Sequence, residues 1–115
     1  MREDGVEATD TELYDQLVGY LGAEGAVCED AGLLILTEYD HRPLSSPLHL
    51  HITPTSFGEH LRAAAPGAAH AFPDVPPIEA AWRLFLVHLD EAVRTARPDE
   101  TELVLDRTGV VSRAR

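Results

Sequence analysis

The middle of the chain carries two neighbouring segments whose hydrophobic patterns are typical of β-strands. Leu33–Tyr39 is a nearly continuous apolar run rich in branched side chains, whereas Leu48–Ile52 alternates strictly between apolar residues and histidine. Successive side chains of an extended chain point to opposite sides, so His49 and His51 share one face of the second segment. The pattern predicts two strands of one sheet, with the apolar residues of the second strand facing a core.

Further strand signals lie on either side of these two segments. The prolines Pro43 and Pro47 predict a loop that joins the two central strands. Ala26–Glu29 is predicted to be a short strand that precedes them. Thr101–Asp106 and Gly109–Arg113 are predicted to be the two strands of a C-terminal hairpin, because a turn with glycine at its last position separates them.

Three segments have the three- and four-residue spacing of apolar side chains that is typical of amphipathic helices. The first spans residues 10–21, and Gly22 is expected to end it. The second begins after the hydroxyl cap Thr53 and is expected to end at Pro66–Gly67. The third, Pro77–Ala96, is the longest and has the most continuous apolar stripe.

The order of these elements is helix, three strands, two helices and two strands. It predicts an α+β fold with a single antiparallel sheet, made of a three-strand meander and a C-terminal hairpin, and with helices packed on one face. Residues 9–115 are predicted to form this one domain, and residues 1–8 are predicted to be frayed or disordered. Residues 66–77 are predicted to be a proline-rich connection, with a binding lid as the alternative.

Composition narrows the class of protein. The chain has 115 residues, of which 44% are hydrophobic and 25% are charged, as is ordinary for a globular domain. There is no apolar run of the roughly 18 residues that span a bilayer, and the acidic start does not resemble a signal peptide. Cys28 is the only cysteine, so no internal disulfide is possible. We therefore expect a cytoplasmic protein, and the lack of lysine with abundant Ala, Gly and Pro suggests a bacterial gene of high GC content.

Negative charge is concentrated in the first 40 residues. This part holds eleven acidic residues and one arginine, whereas the remaining 75 residues hold nine acidic residues and eight arginines. Nucleic acid is excluded as a partner because phosphate binding needs a basic surface. The acidic block is either a solubilising surface or a docking surface for a basic protein. The carboxylates expected to contact such a partner are those of Asp10, Glu12, Asp15, Glu29, Asp30, Glu38 and Asp40.

The third predicted helix has a second apolar patch on the side opposite its main stripe. Ala80, Leu84 and Val87 form this patch, and a helix with one buried stripe does not need it. Either the second helix or a partner subunit is expected to cover it. Leu84 and Val87 are therefore predicted partner contacts, and a homodimer is possible.

Histidines supply the main candidate for metal chemistry. His49 and His51 are about 7 Å apart along one side of the predicted strand, and two such imidazoles can bind zinc or another divalent transition metal if further ligands arrive. His60 is the third ligand that we expect. The alternative is that these histidines simply form the polar face of a strand. Other side chains that lie near enough in sequence to contribute are Glu59, His41 and Asp40.

No catalytic residue is predicted. Ser45, Ser46 and Cys28 have no flanking nucleophile motif, and Cys28 is interpreted as a small core residue. Neither a glycine-rich dinucleotide motif nor a P-loop is present. The sequence therefore favours a small acidic protein-interaction module without a cofactor, which binds a partner protein stoichiometrically in the manner of an immunity protein, antitoxin or chaperone. The alternative is a metal- or small-ligand-binding protein that uses His49 and His51.

Overall fold

The described part of the chain comprises residues 9–30, 32–106 and 109–113 of a computed structural model. The segment predicted to be frayed, residues 1–8, lies outside the described residues. The elements in chain order are α1 (Asp10–Glu24), β1 (Val27–Asp30), β2 (Leu33–Tyr39), β3 (Arg42–His51), α2 (Pro54–Ala71), α3 (Pro77–Thr95), β4 (Glu102–Asp106) and β5 (Gly109–Arg113).

The five strands form one sheet in the order β1-β2-β3-β4-β5. The α+β class and the sequence of elements are confirmed, but the prediction of a purely antiparallel sheet is wrong because β3 and β4 pair in parallel. The helices α2 and α3 and a segment with a turn at residues 98–99 connect β3 to β4, so the chain returns to the end of the sheet where β3 begins before it enters β4. Parallel pairing requires such a long connection, whereas β1–β2, β2–β3 and β4–β5 pair antiparallel through short ones.

The connection between β2 and β3 is a two-residue turn, so the predicted proline loop is wrong. Asp40 and His41 have φ values of 55° and 59°, which is the backbone conformation of a tight hairpin turn. Pro43 and Pro47 lie inside β3. Only residues 49–51 of β3 pair with β4, so these prolines sit on a stretch that has one free edge, where a missing N–H is tolerated.

Two helices continue past the residues that were expected to end them. The helix α1 runs through Gly22 and is capped at Gly25, and α2 runs through Pro66. The residues on either side of Pro66 that face the core, Ala65 and Ala68, are buried. Their packing offsets the loss of one helical hydrogen bond, which costs about 3 kcal/mol in a helix interior.

The connection between α2 and α3 is consequently only residues 72–76, shorter than the predicted loop over residues 66–77. Phe72 and Val75 are half-buried and pack against the core, so they hold this connection to the body of the molecule.

The buried side chains of the sheet lie on the face that the helices cover. Leu34, Leu50 and Leu103 are neighbours across β2, β3 and β4, and each is fully buried. From the helices, Phe57 and Phe85 meet edge to face with ring centroids 4.8 Å apart. Within the described residues, no helix packs on the opposite face of the sheet, and that face is where the histidines of β3 lie.

Candidate functional site

The uncovered face of the sheet, here called the open face, carries two rows of side chains set by the strand register. Residues that pair directly across neighbouring strands project to the same side, so the pairing identifies both rows. One row consists of Cys28, Ile35, His49, Glu102 and Arg113. The next row consists of Asp30, Leu33, His51, Val104 and Val111.

A cluster of two imidazoles and one carboxylate lies at the centre of the open face. The Glu102 carboxylate is 3.1 Å from Nδ1 of His49 through Oε2 and 2.5 Å from Nε2 of His51 through Oε1. The Thr101 hydroxyl donates to the same carboxylate at 3.3 Å. The hydrogen bond from His51, assisted by His49, holds the pKa of Glu102 below its ordinary value. The cluster is accessible, since the side chains of His49 and His51 are 23% and 45% exposed.

Parallel pairing of β3 with β4 is what brings Glu102 to the histidines. His49 is opposite Glu102 in the register, although 53 residues separate them in the chain. Glu102 was not among the predicted site residues. The alternation of Glu102 with the buried Leu103 indicates that Glu102 faces away from the core, but it does not tell which strand lies beside it.

The apolar residues of the open face are the second feature of the site. Leu33, Ile35, Val104 and Val111 are all half-buried and surround the histidine cluster. A sheet with helices on one face normally presents polar side chains to water on the other. The open face instead combines a hydrogen-bonded polar centre with aliphatic neighbours, a combination that is typical of surfaces that contact another molecule.

The structure separates the three histidines that were predicted to share a metal ion. His49 and His51 lie together on the open face, whereas His60 is on α2, with its ring 5.9 Å from that of the core residue Phe85. Among the residues that the structure describes, no group of three or more His, Cys, Asp or Glu side chains is arranged to hold a metal ion. Of the other possible ligands, Asp40 pairs with Arg94.

Four of the seven carboxylates predicted to contact a partner make contacts within the fold. Glu29 on β1 accepts a hydrogen bond from the hydroxyl of Tyr14 on α1. Asp10 binds Arg62 on α2 at 2.7 Å, and Glu12 accepts from the backbone N–H of Thr9 at the start of α1. Asp40 is 3.2 Å from a guanidinium nitrogen of Arg94. The other three, Asp15, Asp30 and Glu38, are exposed residues of α1, β1 and β2.

The second apolar patch of α3 is largely covered by the molecule itself. Ala80 is fully buried and Leu84 is half-buried against the core, whereas Val87 is 54% exposed. Of the two predicted partner contacts on α3, Leu84 and Val87, only Val87 is an exposed side chain. It lies on a stripe between the ion pairs Glu79–Arg83 and Asp90–Arg94.

Cys28 is exposed, so its interpretation as a core residue is wrong. The thiol projects from the edge strand β1 on the open face, opposite Ile35 in the register. Strand alternation decides this position, because Val27 takes the side facing the helices and is half-buried there.

No helix within the described residues is long and apolar enough to cross a membrane. Comparisons of the chain with protein-family models, with curated proteins and with solved structures found no match. Only the geometry and chemistry of the chain's own residues therefore bear on its function.

Proposed function

We propose that this protein is a small interaction module that binds one partner protein stoichiometrically through the open face of its sheet. The observation that carries the proposal is the set of half-buried aliphatic side chains around the His49–Glu102–His51 cluster. The described residues contain helices on one side of the sheet only, so the open face is available to a partner.

Apolar contacts would supply most of the binding energy at this surface. Removing aliphatic surface from water contributes about 25 cal/mol per Å², so every additional 100 Å² buried at the centre contributes roughly 2.5 kcal/mol. The histidines and Glu102 satisfy one another in the free protein, so a partner that covers them does not leave an isolated charge buried. This arrangement favours a partner surface with an apolar centre.

The rim of the open face points to a partner with a basic periphery. The chain has a net charge of −11, and there is no basic residue between Arg2 and His41. Asp30 is exposed on β1, at the edge of the open face. Carboxylates in such positions steer a basic partner and accelerate its association. An immunity protein, an antitoxin and a chaperone each act by this kind of stoichiometric occlusion.

The second candidate function is metal or small-ligand binding by the same histidines. It is favoured by the position of His49 and His51 on one side of β3 and by the carboxylate between them. A metal ion would have to displace the hydrogen bonds to Glu102 and recruit ligands from outside the cluster. Elemental analysis of untagged protein tests this function, and His49→Ala/His51→Ala should abolish any stoichiometric zinc that is found.

A pair of valines on the open face allows a conservative test of protein binding. Val104 and Val111 are directly opposite each other on β4 and β5. Val104→Thr/Val111→Thr keeps the branched shape that suits a strand but makes the surface polar. Val87→Thr is the matched control, because it makes the same chemical change on α3, on the other side of the molecule.

The partner is first captured by crosslinking to the wild-type chain in cells that naturally produce it, and it is then purified and titrated calorimetrically. We expect the double variant to weaken binding by about tenfold or more and Val87→Thr to change it by less than about twofold. Equal binding by the double variant and the wild type would contradict the proposal. Sedimentation of the chain alone identifies the case in which the partner is a second copy.

A further inference from the structure

His49 and His51 supply two of the ligands that a zinc site needs. Both lie on β3, the middle strand of the five-strand sheet, and both are accessible from its uncovered side. Imidazole is a common zinc ligand, and histidines two residues apart in a strand share one side, as chelation requires. Among the described residues, however, no group of three or more His, Cys, Asp or Glu side chains is arranged to hold a metal ion. A zinc ion held by this pair therefore needs ligands from another molecule.

The carboxylate of Glu102 is placed to support the two imidazoles. It contacts one nitrogen of each ring, Nδ1 of His49 and Nε2 of His51. Histidines that bind a metal commonly donate their second ring N–H to a carboxylate, which fixes the tautomer and strengthens the ligand. When zinc displaces the present hydrogen bonds, Glu102 is close enough to accept from the ring nitrogen that keeps its proton. Its lowered pKa keeps the carboxylate ionised, so it also offsets part of the charge of the ion.

A second copy of the chain supplies the missing ligands. Because β3 is the central strand, a two-fold axis beside the histidine pair lays β3 on the β3 of the other copy, and residues of this strand meet their own counterparts. Two copies then contribute four imidazoles, the number of ligands in a tetrahedral zinc site. Sheets that pack face to face lie about 10 Å apart, a gap that imidazoles on opposite sides of a zinc ion can bridge.

The surroundings of the histidines suit contact with an identical face. Half-buried aliphatic side chains flank the cluster, so each face offers the other apolar surface; they are Leu33, Ile35, Val104 and Val111. The net charge of −11 opposes self-association, but the two rows of the open face hold only two carboxylates and one arginine. Most of the acidic surplus therefore lies outside the contact, and a zinc ion adds positive charge where the two copies meet.

We propose that two copies of the chain bind one zinc ion between their open faces, with His49 and His51 of each copy as its four ligands. Glu102 of each copy lies beside the ion as a hydrogen-bond acceptor. The inference rests on the proposed function, since it uses the open face as a binding surface, and it names a second copy as one occupant of that surface. A zinc-bridged dimer covers the surface that a partner protein would contact, so the two complexes exclude each other.

The test uses the untagged full chain, stripped of metal with EDTA, dialysed, and titrated with zinc chloride at neutral pH. Calorimetry with about 50 µM chain should give an end point at one zinc ion per two chains. Sedimentation should show a monomer without zinc, a dimer with zinc, and a monomer again after EDTA is added. Cobalt(II) in place of zinc should give the visible absorption of a tetrahedral site with nitrogen ligands. Magnesium chloride should cause no dimerisation, because magnesium prefers oxygen ligands.

Matched histidine substitutions locate the site. His49→Ala and His51→Ala should each abolish the zinc-dependent dimer, because either change leaves two imidazoles for each ion. His70→Ala is the control and should leave the dimer unchanged, since His70 is an exposed histidine on α2, in the helical layer. Glu102→Gln should weaken zinc binding by about tenfold or more, because it removes the charged acceptor beside the imidazoles. Two-dimensional NMR spectra of each variant establish that it is folded.

Several results would overturn the inference. Zinc bound at one ion per chain without dimerisation would mean that the site is not shared, and a dimer that persists in folded His49→Ala would place the interface elsewhere. A dimer that forms equally well in EDTA would assign the association to apolar contacts alone. A lack of zinc binding at about 100 µM would remove the site altogether. The proposed function is tested separately, because the partner protein is titrated with metal-free chain and its binding depends on Val104 and Val111.

Discussion

The hydroxyl of Tyr39 donates a hydrogen bond to Oδ1 of Asp90 at 3.0 Å and so ties the end of β2 to α3. The same carboxylate accepts from Nε of Arg94 at 3.0 Å, and Arg94 also reaches Asp40 in the hairpin turn. The hydrogen bond from Arg94, with that from Tyr39, holds the pKa of Asp90 below its ordinary value. Burial, and then the bond to Asp90, raises the pKa of Tyr39 far above its usual range. The β2–β3 hairpin is therefore anchored to the helical layer at its tip.

Removal of the Tyr39 hydroxyl should destabilise the protein without changing its fold. Tyr39 is 4% exposed, so its hydroxyl is shielded from water and the bond to a charged partner is stronger than an average one. Tyr39→Phe should lower the free energy of unfolding by about 1–2 kcal/mol, measured by urea denaturation. Glu79→Gln breaks an exposed ion pair and should cost less than about 0.5 kcal/mol. Equal effects of the two substitutions would contradict the anchoring role of Tyr39.

Substitution by alanine should change the stability in opposite directions at two glycines near the end of α1. At Gly22, inside the helix, an added Cβ has nothing within 4 Å, so Gly22→Ala should stabilise by about 0.5–1 kcal/mol. At Gly25 an added Cβ would overlap the backbone carbonyl of Glu38, so Gly25→Ala should destabilise by about 2 kcal/mol or more. Thermal unfolding of the two variants checks the pair. A stabilising Gly25→Ala would mean that α1 ends away from β2.

Pro66 should be a site where substitution stabilises the protein. It is exposed and lies inside α2, where it removes one helical hydrogen bond. Pro66→Ala should raise the free energy of unfolding by about 1–2 kcal/mol, because part of the helical gain is offset by a more flexible unfolded chain. Denaturant unfolding measures the change, and Pro73→Ala in the connection serves as the control. Loss of stability in Pro66→Ala would indicate that α2 ends before this residue.

Stability should rise with pH through the range in which His60 titrates in the unfolded chain. Burial and the neighbouring His88 lower the pKa of His60 from 6.5, while Asp106 partly opposes them. Glu59 lines a surface cavity together with the His60 ring. Below about pH 6.5 the unfolded chain binds a proton that the folded protein excludes, so stability falls as pH drops toward the folded pKa.

Urea unfolding at about pH 5.5 and about pH 7.5 measures this dependence. The wild type should be more stable at the higher pH, and His60→Gln should show a smaller difference because glutamine does not titrate. Glu102 does not affect the comparison, because its lowered pKa changes the stability only below about pH 4.5, its ordinary pKa. An unchanged difference in His60→Gln would assign the effect to another group.

The carboxylate of Glu102 should stabilise the folded protein at pH values above its unfolded pKa and should lose this effect in acid. Because the folded pKa is lowered, the contribution of Glu102 to stability is complete above about pH 4.5 and disappears as pH falls through the folded value. Glu102→Gln should therefore destabilise by about 1 kcal/mol at about pH 6 and by less at about pH 3. Glu100→Gln on the preceding loop is the comparison. A pH-independent effect of Glu102→Gln would point to packing instead of charge.

The sequence alone determined most of the elements and the side on which each strand is buried. The bounds of β2 and the start of each helix follow from local patterns, because capping hydroxyls such as Thr9 and Thr53 act within three residues of the chain. Strand alternation likewise placed His49 and His51 together, since side chains two residues apart in a strand always share a face.

The tertiary structure decided everything that depends on which segments become neighbours. Parallel pairing of β3 with β4 places Glu102 beside the histidines. The packing of α2, α3 and β4 likewise brings His60 near His88 and Asp106. In both cases the residues are far apart in the chain. The continuation of α2 through Pro66 belongs here too, because it depends on packing that only the folded molecule provides. Local patterns report the conformation and the burial of a segment, whereas pairing is selected by the free energy of the whole packed core.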